Sequence, residues 1–170
     1  MAQLVPENHP ALHTIAEEVT REEIDNHSAA KIIKDMRSVL HSYCAEGLTA
    51  VAIAAPQIGI AKRIFLIEDQ NPGRDQLPSL VAINPQIIKT SRRTKLLDEG
   101  CLSIPDTYGR VERHTNVTMV ALDEYGTQYE RGAGGLLAQI IQHETDHLDG
   151  ILFTERATEI WNLEEAQTHA

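Results

Sequence analysis

The chain has 170 residues, 42% of them hydrophobic, with 15 Lys and Arg against 25 Asp and Glu and a net charge of −10. That length suits one domain with a real core, the apolar share excludes a disordered chain, and the acidic balance argues against nucleic acid or an anionic membrane as a main partner. The two cysteines, Cys44 and Cys101, are too few for a disulfide framework and fit a reducing compartment.

The N-terminus, Met1 to Glu7, has no basic region followed by an apolar run. No stretch reaches the roughly 18 apolar residues of a membrane span, so a soluble, cytoplasmic protein is expected. Residues 1 to about 27 read as irregular, with Pro6 and Pro10 opposing helix. From Ser28, an N-cap candidate, Ile32, Ile33, Met36, Val39, Leu40 and Tyr43 form an amphipathic helical stripe, with Gly47 as its stop and Cys44 as a small core residue. Ala50 to Gly59 reads as a buried loop or short strand, interrupted at Pro56, whose polar exception Gln57 needs partners. Arg63 to Ile67 and Leu80 to Asn84 read as strands, separated by a polar loop from Asp69 to Pro78. The basic run Ser91 to Lys95 reads as a solvated turn. Val111 to Leu122 and Gly126 to Arg131 read as a hairpin turning at Asp123-Glu124-Tyr125-Gly126.

Glycines at 132, 134 and 135 then precede a helix whose broad face carries Leu136, Leu137, Ile140, Ile141, Glu144, His147 and Leu148, with Gly150 as its stop. Ile151 to Phe153 reads as a last strand, and a polar tail from about residue 157 has Trp161 as its one anchor. No repeat, linker or second domain is visible, so residues 1–170 are expected to form a single domain. Its expected class is α+β: mainly antiparallel strands around one buried helix, with the amphipathic helix outside.

The buried helix carries His143-Glu144-Thr145-Asp146-His147, an instance of His-Glu-x-x-His. Residues four apart share one helical face, so His143 and His147 can bind one metal ion together, while Glu144 reaches a metal-bound water without being a ligand. A third ligand is needed. A metzincin would place His where this chain has Phe153. A thermolysin-like metallopeptidase would take a later Glu, here Glu164 or Glu165. Upstream, Cys101 follows Gly100 and offers a thiolate; with two imidazoles it makes a sound tetrahedral set with one open position.

Three stretches resemble the motifs of the peptide deformylase family: Gln142 to Leu148, Glu99 to Ser103, and Ala50 to Gln57. The first two match fully. The third has Ala50 and Ala52 where the family pattern has glycine. The likeness runs from His9 to about Arg156. It implies removal of the N-formyl group from N-formylmethionyl peptides by metal-bound hydroxide, with Cys101, His143 and His147 as ligands and Glu144 as acid and base. It further implies that Gln57 and the backbone N–H of Leu102 donate to the oxyanion. Substrate would lie extended beside Ala52, Ile53 and Gly100, with its first side chain near Leu136, Gln139 and Ile140. One divalent ion is implied, ferrous iron first, with zinc, nickel or cobalt as alternatives. The implied partner is the N-formylated nascent peptide, with transient ribosome association. Alanine at positions 50 and 52 leaves open a paralogue with altered N-formyl substrate choice.

Overall fold

The computed structural model describes residues 2–45, 50–69 and 77–162. The N-terminal arm, expected to be irregular, holds a 3₁₀ turn at Pro10–His13 and a short helix, α1 (Arg21–Asp25). The sequence feature overlooked there is a capping box. Thr20 Oγ1 accepts from the Glu23 backbone N–H at 3.2 Å, and the Glu23 carboxylate accepts from the Thr20 N–H at 2.8 Å. Helix α2 (Ser28–Ala45) follows after His27, whose φ is 64°. Ser28 is the first residue of that helix rather than its cap; its N–H donates to Asn26 Oδ1 at 3.0 Å. Gly47 and the Cys44 side chain lie outside the described residues.

Among the described residues, eight strands form two antiparallel sheets. Strands β1 (Ala52–Ala54), β2 (Ile64–Ile67), β3 (Leu80–Thr90), β6 (Asn116–Leu122) and β7 (Gln128–Gly134) make a five-stranded sheet in the order β1-β2-β3-β6-β7. Strands β4 (Thr94–Cys101), β5 (Ile104–His114) and β8 (Glu159–Asn162) make a three-stranded sheet in the order β4-β5-β8. Helix α3 (Gly135–Leu148) carries the two motif histidines, and α4 (Phe153–Arg156) follows it. The class is α+β with antiparallel strands.

Three expectations about the strands also need correction. Pro85 does not end β3: Asn84 adopts φ 51°, the register shifts between Ile83 and Gln86, and the strand continues to Thr90. A bulge accommodates proline because the ladder hydrogen bond is already lost there. Val111 to Leu122 is not one strand: it divides at Thr115, with β5 in one sheet and β6 in the other. Ile151 to Phe153 is not a strand, since Phe153 starts α4 and the last strand is β8, within the polar tail. The hairpin at residues 123–127 forms as expected, with Asp123 Oδ1 accepting from the N–H groups of Tyr125 and Thr127.

The strand alternation sorts the core. Ala52, Ala54, Phe65 and Ile67 pack in one cluster with Ala138, Ile140, Ile141 and Leu148 of α3. Ile53, Ile64 and Leu66, on the opposite face, pack with Ile33, Met36 and Leu40 of α2. The five-stranded sheet is thus covered on both faces, which is why β1 and β2 are apolar throughout.

Helix α3 is fixed along its side and at its C-terminal end. Gln142 accepts from the His114 backbone N–H and donates to the His114 carbonyl, both at 3.0 Å, which ties the helix to β5. At the C-terminal end Gly150 has φ 72°, and a Cβ there would lie 2.9 Å from the His13 and Thr14 backbone. The same arm closes over the helix through Ala16 N–H to the Leu148 carbonyl at 2.8 Å. Among the described residues no helix is long and apolar enough to cross a membrane.

Candidate metal centre

Three elements converge on Cys101. It is the last residue of β4, followed by the Leu102–Ser103 turn into β5. Helix α3 brings His147 Nε2 to 3.2 Å from its sulfur. The 3₁₀ turn Ala55–Ile58 brings Gln57 Nε2 to 3.4 Å from the sulfur and 3.4 Å from Ser103 Oγ. Gln57 also braces local backbone, accepting from the Ala54 N–H at 2.8 Å, so it is held at one end and aimed at the site with the other. One donor atom each from Cys101, His143 and His147 lies within 4.8 Å of the others. The two imidazole rings stand edge-on, 4.9 Å between centroids and 83° between planes.

The charges fit the same picture. Burial acts to raise the Cys101 thiol, yet the charge of His147 and hydrogen bonds from both histidines hold it well below the ordinary range. Burial acts to lower His143, but its bonds to Cys101 and Glu99 push it well above its usual value. A thiol pushed down beside an imidazole pushed up is the donor chemistry that would hold a divalent cation, with the cation in place of a shared proton. Burial raises the Glu144 carboxyl, with Cys101 and Glu99 adding to the rise and the histidines opposing it.

The donor set accepts a metal. A tetrahedral ion about 2.3 Å from sulfur and 2.1 Å from nitrogen holds such atoms about 3.4–3.6 Å apart, within the spread of this cluster. Among the described residues, the buried side-chain polar atoms without a hydrogen-bond partner are Glu144 Oε2 and His147 Nδ1, and both belong to this site.

Behind His143 lies a layer of charge. Glu99 Oε2 accepts from His143 Nδ1 at 2.9 Å. Arg113 grips the Glu99 carboxylate with Nε at 2.8 Å and Nη2 at 2.9 Å. Burial opposes ionisation of Glu99, but the bonds from Arg113 and His143 win and hold it down to about 2. Sequence reading left Glu99, Arg113 and Asp146 without a role. The available signal was an acid two residues before Cys101 and another beside His147, where ligands need outer partners.

The residues expected to hold substrate divide. Ile140 is buried in the α3 cluster, and Leu136, 53% exposed, stands on the same side of the helix one turn earlier. Gln139 is half-buried, with its amide tied to the Asp98 carbonyl at 3.0 Å. Gly100 is exposed, and a Cβ there would press on the Tyr108 ring at 3.0 Å. Ala52 points into the α3 cluster, whereas the Ile53 side chain turns away toward α2, so only the Ile53 backbone shares that edge. Leu102 sits in the turn after Cys101, half-buried against the α2 cluster. Glu164 and Glu165 lie outside the described residues.

The family model for polypeptide deformylase matches residues 1–162. A peptide deformylase of Fusobacterium nucleatum is 42% identical over 145 residues, 85% of this chain and 77% of that protein. One from Symbiobacterium thermophilum is 41% identical over 163 residues, 96% of this chain and 70% of that protein. Among solved structures, a Synechococcus elongatus peptide deformylase in complex with actinonin superposes with a TM-score of 0.79 at 36% identity, covering 98% of this chain and 82% of that one. A Met-Ala-Ser-bound enzyme from Acinetobacter baumannii gives 0.81 at 34% identity, covering 90% and 96%. With this fold and this centre, the chain belongs to the polypeptide deformylase family and is a metal-dependent hydrolase that removes the N-formyl group from peptides.

Proposed function

We propose that Cys101, His143 and His147 hold one divalent cation, ferrous iron on the family resemblance, and that Glu144 handles the protons of formamide hydrolysis. The observation that carries this reading is the cluster itself: one thiolate and two imidazoles within 4.8 Å, beside a buried carboxylate. Zinc, nickel and cobalt suit the same donors. When bound, the cation supplies Lewis acidity to water and to the formyl oxygen.

The remaining steps belong to the chain's own residues. Glu144, with its carboxyl raised by burial, takes a proton from the attacking water and delivers it to the leaving amine. Gln57 Nε2 and the Leu102 N–H donate to the oxyanion. Strand β1 pairs only with β2 among the described strands, and its other edge receives the extended peptide. Backbone groups of Ala52, Ile53 and Gly100 would bond the substrate main chain, and Leu136, Gln139 and Ile140 would receive its first side chain. Formyl over acetyl selectivity is steric, because formyl carries only hydrogen on its carbon. The proposed setting is the cytoplasm, on nascent chains, with transient ribosome association.

Anaerobic metal analysis paired with an assay on a formyl-Met peptide tests the reading. One ion per chain and formate release are expected, with Cys101→Ser losing the ion. Full occupancy in Cys101→Ser overturns the ligand set and revives the thermolysin-like alternative, which the family membership disfavours.

A further inference from the structure

The ion pairs behind His143 run further than a ligand's immediate partner. Arg113 Nη1 donates to Asp146 Oδ2 at 2.6 Å, and Arg156 Nε donates to the same oxygen at 2.7 Å. A continuous row therefore joins Arg156 on α4, through Asp146, Arg113 and Glu99, to His143 Nδ1. The side chains of Glu99, Arg113 and Asp146 are 3%, 4% and 10% exposed, whereas that of Arg156 is 45% exposed.

We propose that Asp146 and Arg156 are positioning residues for His143, acting through Arg113 and Glu99 to fix its tautomer and ring orientation. The proposal rests on the reading of His143 as a ligand. A carboxylate at Nδ1 makes that nitrogen the donor and leaves Nε2 to bind. The row sets how firmly Glu99 can do this. Two buried carboxylates share one buried guanidinium, and Arg156 brings the second positive charge. With Arg156 present, Arg113 can spend two of its donors on Glu99 and one on Asp146. Without it, Asp146 is underpaired and draws Arg113 away from Glu99.

The same short helix holds His143 a second way. The Phe153 ring stacks on the imidazole, 6.3 Å between centroids and 24° between planes. Gly109 makes room for that helix: a Cβ there would lie 2.9 Å from Ala157 Cβ and 3.0 Å from Phe153 Cε2. Arg156 itself borders an open cleft of about 480 Å³ that Arg63, His114, Gln142 and Asp149 also line. Water can fill the space of a truncated Arg156, so its removal leaves the core packed.

The test loads wild type, Arg156→Ala, Arg156→Lys and Asp146→Asn with Co(II). It reads the visible ligand-field bands and the rate of Co(II) loss to a chelator, with the thermal midpoint recorded alongside. Arg156→Ala and Asp146→Asn are expected to shift the bands and to speed metal loss about 10-fold, with Arg156→Lys within about threefold of wild type. Arg110→Ala, which breaks exposed pairs with Asp98 and Glu159 and a cation–π contact with Trp161 but touches no member of the row, is expected to match wild type in both readouts. Wild-type bands and wild-type metal loss in Arg156→Ala and Asp146→Asn overturn the proposal, whatever happens to the thermal midpoint. Should Arg156→Ala fail to fold, the near-isosteric Asp146→Asn decides alone. A wild-type protein without a thiolate-to-cobalt band overturns the ligand assignment itself, a result distinct from unchanged variants.

Discussion

On the side of α3 that carries His143, Glu144 and His147, a carboxylate oxygen and an imidazole nitrogen lie buried with no partner. On the side that carries Gln142 and Asp146, the polar groups are saturated: Gln142 makes three hydrogen bonds, and Asp146 takes two arginines. The two sides are a third of a helical turn or more apart and use similar residue types. The difference lies in what each must do. A saturated side fixes the helix; the other side leaves a Glu144 oxygen free for proton transfer and turns His147 Nε2 to the Cys101 sulfur. The unsaturated side can exist because the saturated one holds it still.

The sharpest way to break this comparison is Glu144→Ala. That group is unpaired at one oxygen and is not in the ligand cluster. The variant is expected to keep its metal and lose about 10²–10⁴-fold in kcat. Metal analysis beside the kinetics decides: metal loss as complete as in His143→Ala makes Glu144 a ligand.

Removing the saturated side's link to His143 is expected to do less. Glu99→Gln keeps the shape but weakens the clamp on His143, with about 10- to 100-fold loss of metal affinity. The same residue has a pH signature. Its folded carboxyl sits at about 2 against an ordinary 4.5, so the protonated form is disfavoured by folding. That contribution to stability is fully present above about pH 4.5 and is lost as pH falls toward 2. Thermal midpoints measured down that range are expected to fall less steeply in Glu99→Gln; equal slopes would exclude a depressed Glu99.

Ala52 carries the smallest effect. Its methyl group stands perpendicular to β1, in the cluster with Ile140, and leaves the in-plane edge of the strand open. Ala52→Gly removes a methyl group from that cluster and nothing from the open edge, so it is expected to leave KM for a formyl-Met tripeptide within about threefold of wild type, with kcat little changed and a lower thermal midpoint. Comparison with formyl-Met alone is the control. A KM that falls about 10-fold for the tripeptide alone would put the methyl group in the peptide's path.

How much of this was legible depends on reach along the chain. The histidine pair and its Glu were readable because i, i+4 spacing is a local property of helices. The 123–127 turn was readable for the same reason, and Cys101 followed from ligand chemistry and motif likeness. The division at Thr115 was hidden, because apolar alternation continues across it and only pairing with distant strands separates β5 from β6. Pro85 suggested a strand end, since the bulge that tolerates it depends on Asn84 reaching back to Val19, 65 residues away in sequence. Arg113, Asp146 and Arg156 each read alone as surface charge. The burial of Arg113 and Asp146 depends on their pairing with each other and with the exposed Arg156, at separations that no local pattern encodes.

The clasp over the end of α3 has a consequence for the timing of assembly. The Ala16 N–H meets the Leu148 carbonyl about 130 residues later, and Gly150 fits against His13 and Thr14. During synthesis the arm emerges before α3 and must wait, without its partner, until the roughly 130 residues between them have been made. Contacts of such span slow folding because the intervening chain must be ordered before they form. Until then the Cys101 thiol and both imidazoles lack the cover of a finished fold, open to oxidation and to any passing metal. A cation captured before the clasp closes would be chosen by which metal is abundant at that moment, as well as by the affinity of the completed site.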